Sequence, residues 1–491
     1  MEWKPDKSLQ VPIYIQISDY FEARIRNGEY PSGSSLPSER VLAAQLGVNR
    51  STIVSAYDQL NSLGIVNRIK GFGTVVSPTP TGEGHMKRVP DWEEYVKGGF
   101  LRLNDPITRQ IHKIVGSDKP YINFAIGELS ADLFPVTLLQ EAHNRLEISQ
   151  YLGYEHIQGN YKLRESIANH LRTHRNIVSS ASSVLVTSGA QQALQLIIQC
   201  LLKPGDAVAI EDPSYCYSLP IFHSAGLRTY RLPVEQEGID PEQVESLYKQ
   251  HRVKMVFVNP IYHNPTGTTL SYERRKRLLD ISTKYGIAIV EDDPYSLTSY
   301  DQRSESTLKS LDQDGSVLYV SSLSKMISSG LRIGWIAGPQ SVITRLTDAK
   351  QQLDFGHANI PQWIAAQLLA SAELDNHLTK LKIGLRHKLE LTMRTLRAEL
   401  GDEVRFHEPA GGIHLWCELA REWDVQRLFN HAIQAGVVFT PGSTLGSQAR
   451  YVRLTYSKVD DSSIVEGIRK FAAAYRESKQ DRKVQLLTPH D

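Results

Sequence analysis

The sequence predicts an α/β body preceded by a small, mainly helical module, on three observations. First, five apolar runs have the length of buried strands: Val184-Leu185-Val186, Ala207-Val208-Ala209-Ile210, Met255-Val256-Phe257-Val258, Ile287-Ala288-Ile289-Val290 and Val317-Leu318-Tyr319-Val320. Each leads into a loop of small or polar residues. Second, residues 11–64 carry three helical periods, broken at Gly28, Pro31 and Gly47. Third, Ser77-Pro78-Thr79-Pro80-Thr81-Gly82-Glu83-Gly84 reads as an extended connector between the two parts.

Composition bounds the class. The chain has 491 residues, room for two or three domains, and an apolar share of 41% suits a large core. The formal net charge is +1, so total charge points to neither nucleic acid nor a membrane surface. Cys200, Cys216 and Cys417 lie far apart in no metal-ligand pattern, which predicts reduced thiols in a cytoplasm and no metal site. The polar start, Met1 to Lys7, has no signal-peptide core, and no run approaches the length of a membrane span.

In the first module, Ile13, Ile17, Tyr20, Phe21 and Ile25 share one helical face. Leu36-Pro37-Ser38-Glu39-Arg40 starts a second helix, with Val41, Leu42 and Leu46 expected inward and Arg40 outside. After the turn at Gly47, Asn49 is expected to cap a third helix that opens with Arg50, Ser51 and Thr52 and turns Ile53, Tyr57 and Leu60 to the core. Two short strands then flank Arg68-Ile69-Lys70-Gly71-Phe72-Gly73, a glycine-bearing hairpin with a basic tip. Helix, tight turn, helix and wing, in this order over residues 11–76, resemble the GntR-type winged helix-turn-helix.

Charge placement supports a DNA face. Residues 1–78 hold eight Lys/Arg against seven Asp/Glu, but residues 40–78 hold Arg40, Arg50, Arg68 and Lys70 against Asp58 alone. Arg50, Ser51 and Thr52 are expected to meet base edges or phosphates, while Arg40, Arg68, Lys70 and Gly71 hold the backbone. A winged helix used for protein contact is the competing reading. One such module reads a half-site, so a homodimer and a two-part DNA operator are expected. The module is assigned to 1–78 and a linker to 79–120, with short helices expected around Asp91–Val96 and Arg109–Val115.

The body is assigned to 121–475, and its centre is Ser322-Leu323-Ser324-Lys325, followed by Arg332. A lysine at the end of a buried strand is held toward the neutral amine, which can form a Schiff base. Arg332 offers a planar fork for a phosphate, and Ser322 and Ser324 offer hydroxyl donors. A surface loop with one Lys and one Arg fits the segment too. Other segments bear on the choice. Ser188-Gly189-Ala190-Gln191 joins a strand to a helix whose first N–H groups attract phosphate. Tyr215 follows Gln191 by 24 residues, and Lys325 follows Asp292 by 33. His263-Asn264-Pro265-Thr266-Gly267 and Glu291-Asp292-Asp293-Pro294-Tyr295 each leave a strand end.

Together these motifs resemble the fold-type I pyridoxal-phosphate enzymes, the aspartate aminotransferase-like class. That resemblance implies a mostly parallel sheet in a large domain and a smaller C-terminal α+β domain. It implies pyridoxal 5'-phosphate as cofactor, held by Lys325 as an internal aldimine. Asp292 would lie beneath the pyridine nitrogen, where its carboxylate favours the protonated ring. Tyr295 and Asn264 would share the phenolic oxygen, and Tyr215 would stack on the ring. The N–H groups of Ala190 and Gln191, the Ser322 and Ser324 hydroxyls and Arg332 would hold the phosphate, and Tyr154 would reach the phosphate of the partner subunit. Arg453, on Tyr451-Val452-Arg453-Leu454, would fork onto the carboxylate of a substrate. Ala410-Gly411-Gly412-Ile413-His414 and Val438–Gly442 fit the small domain, and residues 476–491 read as a loose tail.

A GntR-type winged helix ahead of an aminotransferase-like body resembles the MocR-type bacterial regulators. The resemblance implies a DNA-binding regulator that senses an amino compound, or the cofactor itself, through Lys325. An active aminotransferase carrying a DNA module is the alternative, because the residues needed for amine exchange are present. A body kept only for dimerisation is the third reading. No membrane partner is expected.

Overall fold

The computed structural model describes residues 3–69, 71–77, 90, 92–117, 119–147, 149, 152–300, 305–420, 423–446 and 450–487. They fall into two compact units, residues 1–100 and 101–491.

The first unit holds α1 (Ile13–Arg26), α2 (Glu39–Leu46), α3 (Arg50–Ser62) and the hairpin of β1 (Val66–Ile69) and β2 (Gly73–Val76), followed by α4 (Trp92–Gly98). Its core joins Ile17 and Phe21 to Leu42, Leu46, Ile53, Tyr57, Leu60, Val66 and Val76. Each large side chain so buried contributes about 1.5–3 kcal/mol. The Ser38 hydroxyl accepts from Val41 N–H at the start of α2, and Gly47 ends that helix in the left-handed region at φ 65°. Two expectations are corrected here. Val41 is 48% exposed, and Ala43 takes the inward place because it lies one residue beyond Leu42 on the same face. Asn49 occupies the cap position of α3, but its side chain makes no capping bond.

The second unit begins earlier than residue 121. Asp105 caps α5 (Pro106–Val115) by accepting from the N–H groups of Ile107 and Thr108 at 2.9 and 3.2 Å. Ile111 of that helix is buried in the core of the body. Part of the expected linker is therefore packed structure.

The body is built on an eight-stranded sheet. Its strands are β4 (Val184–Thr187), β5 (Ala207–Asp212), β6 (Arg228–Glu235), β7 (Gly238–Ile239), β8 (Met255–Val258), β9 (Ala288–Asp292), β10 (Val317–Ser322) and β11 (Gly334–Ala337). Their order is β4-β11-β10-β9-β8-β5-β6-β7. The β10-β9-β8-β5-β6 run is parallel, and β11 is antiparallel to both of its neighbours. The central strands are apolar on both faces because helices cover both, as a parallel sheet requires. This topology brings the loops after β4, β5, β8, β9 and β10, and the loop before β11, to one edge of the sheet. Ligands collect at that edge in open α/β sheets.

The smaller C-terminal part packs the 27-residue helix Leu374–Leu400 along the helix Asp461–Leu487 and against the edge strand of a four-stranded antiparallel sheet. That sheet contains β12 (Val404–Phe406), β13 (His414–Leu419), β15 (Thr440–Pro441) and β16 (Tyr451–Thr455). A short parallel pair, β3 (Ile122–Asn123) with β14 (Val437–Val438), joins the first residues of the body to it. The loose tail expected over residues 476–491 is corrected for its first part: the last helix continues through residues 476–487, and residues 488–491 lie outside the described residues.

Candidate functional site

Lys325 sits in a single turn of helix directly after β10, and its side chain enters a cavity of about 290 Å³. The same cavity is lined by Ala190, Gln191, Tyr215, Asn264, Asp292, Tyr295, Ser322, Ser324, Arg332 and Arg453. Residues from five distant parts of the sequence, at 190–191, 215, 264, 292–295 and 453, thus meet the lysine because the strands that carry most of them share one edge.

Burial, then the nearby Arg453, lowers the Lys325 amine to about 8, and its Nζ donates to the Gly127 carbonyl. Burial raises the Asp292 carboxyl to about 7, although a hydrogen bond from the Tyr215 hydroxyl to Oδ2 opposes it. The other carboxylate oxygen, Oδ1, is buried without a partner. Asn259 braces this part of the site. Its Nδ2 donates to the Asp292 carbonyl at 2.8 Å, and its Oδ1 accepts from Asn264 N–H at 2.7 Å.

Arg453 is buried on β16, with burial lowering its guanidinium to about 10. Nη1 donates to Asn264 Oδ1 at 2.9 Å, and Nη2 donates to the Ala125 carbonyl at 2.6 Å and Thr440 Oγ1 at 3.1 Å. Its Nε is buried without a partner. Asn264 Nδ2 in turn donates to the Tyr295 hydroxyl at 3.3 Å.

The anion-binding elements converge as well. Helix α8 (Ala190–Leu201) begins after Gly189, which offers no side-chain cap, so its first N–H groups stay available. Arg332 takes the left-handed conformation at φ 53° and donates through Nη2 to the Ser188 carbonyl at 2.9 Å. Any side chain at Gly189 would put its Cβ 2.6 Å from that Nη2. Helix start, guanidinium and the Ser322 and Ser324 hydroxyls suit a phosphate. The unpartnered Asp292 Oδ1 suits a protonated ring nitrogen. The donor set fits pyridoxal phosphate.

Tyr154 stands apart: it is 90% exposed, beside Phe355, and does not line the cavity of its own chain. The sequence reading missed Asn259, and it missed His414 and Thr455 as site residues. The signal for His414 was the Gly411-Gly412 pair, where backbone passes close to Tyr262 and delivers the next residues to the cavity.

In the first unit, Arg40, Arg50, Ser51, Arg68 and Gly71 are exposed and Thr52 is half-buried. Lys70 lies outside the described residues. Arg50 is not free: Nε and Nη2 donate to Glu39 Oε2 at 3.1 and 2.9 Å. Arg68 reaches Glu39 Oε1 at 3.4 Å and Asp58 at 3.0 Å. Counting charge from residue 40 onward left out Glu39, the acid that joins both arginines.

The comparisons with known proteins follow this division. The model for the aminotransferase class I and II family matches residues 119–471, and that for the gntR family of bacterial regulatory proteins matches residues 13–76. The uncharacterized HTH-type transcriptional regulator YisV of Bacillus subtilis is 36% identical over 480 residues, covering 97% of this chain and 98% of that protein. Aromatic-amino-acid aminotransferase 1 of Thermococcus litoralis is 30% identical over 398 residues, 79% of this chain and 95% of that one. The crystal structure of Pyrococcus horikoshii kynurenine aminotransferase with PMP superposes with a TM-score of 0.73 at 28% identity, covering 79% of this chain and 98% of that one.

Proposed function

We infer the function from one premise: the chain belongs to the MocR-type regulators, in which a GntR-family domain precedes an aminotransferase class I and II domain. On that premise the protein is a transcriptional regulator that binds DNA through its first unit and a small amine through pyridoxal phosphate in its second. The observation that carries the reading is the single cavity in which Lys325, Asp292 with its unpartnered Oδ1, Arg332 and the start of α8 meet.

Bound pyridoxal phosphate supplies an aldehyde carbon that exchanges amines and a ring that accepts electron density. The chain's own residues do the rest. Lys325, its amine lowered to about 8 by burial, serves as both the amine that holds the cofactor and the base at Nζ. Asp292 keeps a proton on the ring nitrogen. Arg332, Ser322, Ser324 and the N–H groups of Ala190 and Gln191 hold the phosphate. Asn264 and Tyr295 face the phenolic oxygen, Tyr215 covers the ring, and Arg453 orients a ligand carboxylate. Tyr154, exposed on its own chain, serves the phosphate of a second copy in a homodimer. Arg40, Arg50, Ser51, Thr52, Arg68, Lys70 and Gly71 form the DNA face, and two such faces read a two-part operator. A DNA partner and three free thiols support a bacterial cytoplasmic setting.

Residual transamination is the second reading, favoured by the intact cavity and the 30% identity to a Thermococcus aminotransferase. The test is a spectral titration of the pyridoxal-phosphate-loaded chain with amino acids and polyamines, followed by operator binding with each ligand that responds. Lys325→Ala is expected to lose the visible band and the ligand response while remaining folded. Ligand-dependent DNA binding that persists in Lys325→Ala would sink the sensor reading; a keto-acid product without any change in DNA binding would favour the enzyme.

A further inference from the structure

The side chains beside Lys325 form one hydrogen-bonded run in which two members, His414 and Thr455, have no role above. His414 opens β13 and Thr455 closes β16, and the two are register partners across that sheet. Thr455 Oγ1 lies 2.9 Å from His414 Nδ1, and His414 Nε2 lies 3.0 Å from the Tyr295 hydroxyl. Both His414 and Thr455 are buried, and His414 lines the cavity. A Cβ at Gly127 would stand 3.3 Å from the His414 ring and 3.6 Å from Lys325 Nζ, so ring and amine flank the same small space.

We propose that His414 is a positioning residue: fixed by Thr455 as the Nε2–H tautomer, it donates to the Tyr295 oxygen and thereby turns the Tyr295 hydroxyl hydrogen into the cavity. The direction follows from counting donors. Arg453 donates to Asn264 Oδ1, which fixes the amide so that Nδ2 donates to Tyr295. The buried Thr455 hydroxyl must place its own hydrogen on an acceptor, and His414 Nδ1 is the partner described for it. Nδ1 therefore accepts, and the ring proton sits on Nε2. Tyr295 then accepts from both Asn264 and His414, which leaves its own O–H to be donated elsewhere. The imidazole is kept uncharged by burial and by Arg453, Lys325 and His263 around it. A charged ring would put a proton on Nδ1 and orphan the Thr455 hydrogen.

This inference rests on the cofactor reading, because the acceptor in the cavity is the phenolic oxygen of bound pyridoxal phosphate. Two measurements separate the claims. In the unliganded full chain with ¹⁵N-labelled histidine, the His414 signals, assigned by their loss in H414Q, are expected to report protonated Nε2 and bare Nδ1. A protonated Nδ1 overturns the proposal. In the pyridoxal-phosphate-loaded chain, the pH midpoint of the visible band is read. A donated Tyr295 hydrogen favours the anionic phenolic oxygen, so His414→Phe raises the midpoint by about one unit. His414→Gln, whose amide N–H can replace Nε2–H, stays within about 0.3 unit of the parent. Equal midpoints in parent and His414→Phe overturn the proposal. A parent chain that shows no visible band sinks the cofactor reading instead, and the nitrogen spectrum then decides the tautomer alone.

Discussion

At the scale of the residue, the three consecutive acids at the end of β9 show how a strand sorts like side chains to different work. Glu291 points away from the cavity and accepts from the N–H groups of Leu308 and Lys309, both at 2.8 Å. Asp293 accepts from the Tyr319 hydroxyl at 2.7 Å. Asp292, between them, faces the cavity, as period-2 alternation requires. Its carboxyl, raised to about 7 by burial, has an ordinary unfolded value near 3.8, so between those pH values the folded state holds a proton that the unfolded state has released. The unliganded protein therefore loses stability from this group as pH rises through about 7. Asp292→Asn removes that dependence and keeps an acceptor for Tyr215. The melting temperature of Asp292→Asn minus that of the parent is expected to widen from near zero at pH 4 to roughly 4 °C at pH 7. Glu291, raised to about 8, weakens both proteins alike and drops out of the difference. A gap that stays flat from pH 4 to 7 would show that Asp292 is ionised throughout. The same variant is expected to bind pyridoxal phosphate more weakly at every pH.

At the scale of the element, the tightest approach of a glycine to another segment's backbone among the described residues is where β11 passes the turn before α8. A Cβ on Gly334 would lie 2.6 Å from the carbonyl carbon of Gly189, 2.7 Å from its Cα and 3.0 Å from Ala190 N. These are backbone atoms, so nothing can rotate aside. Gly334→Ala is expected to cost about 1–3 kcal/mol in stability and to loosen phosphate binding by prising the helix start from Arg332. Thermal melting and a cofactor titration check both effects; an unchanged cofactor affinity would mean that this turn does not hold the phosphate. In the first unit the element-scale device is Glu39, at the start of α2, holding Arg50 of α3 and Arg68 of β1. Arg50→Ala is expected to weaken operator binding roughly tenfold. Glu39→Gln frees Arg50 and leaves Arg68 only its Asp58 partner, so binding to unrelated duplex should tighten and discrimination for the operator should fall, both read by titration against the two DNAs. Glu39→Gln with unaltered binding to both would place the contact face elsewhere. Lys325 and Asp292 were legible in the sequence because each sits in a motif at a strand end, and Arg453 because its whole strand resembles a family segment. Glu39, Asn259, His414 and Thr455 were not, because their partners lie across helices or strands whose register a linear pattern does not state. Val41 misled for a related reason: an apolar residue at the edge of a short helix faces solvent as readily as core.

At the scale of the whole molecule, the division into two units was legible from the Pro/Gly stretch, but not where the body begins. The apolar residues of the expected helix at Arg109–Val115 gave the sign that it could dock, and Ile107, Ile111 and Ile114 do pack on the body, but the surface that receives them is not contained in the local sequence. Two units with separate cores make regulation a question of coupling energy. If an amine bound in the second unit changes operator affinity by some factor, operator must change amine affinity by the same factor, because both are legs of one cycle. For a working regulator that factor is about 5–150, or 1–3 kcal/mol. The cofactor band near Lys325 gives a direct readout of the amine leg, and DNA titration gives the other. The expectation is that saturating operator DNA shifts the amine titration midpoint of the pyridoxal-phosphate-loaded chain by at least about fivefold, while unrelated duplex does not. Arg50→Ala should need roughly tenfold more operator to produce the same shift, without moving the midpoint measured in the absence of DNA. A midpoint indifferent to operator would mean that the two units share a chain without sharing free energy, and the body would then be an aminotransferase to which a DNA reader is merely tethered.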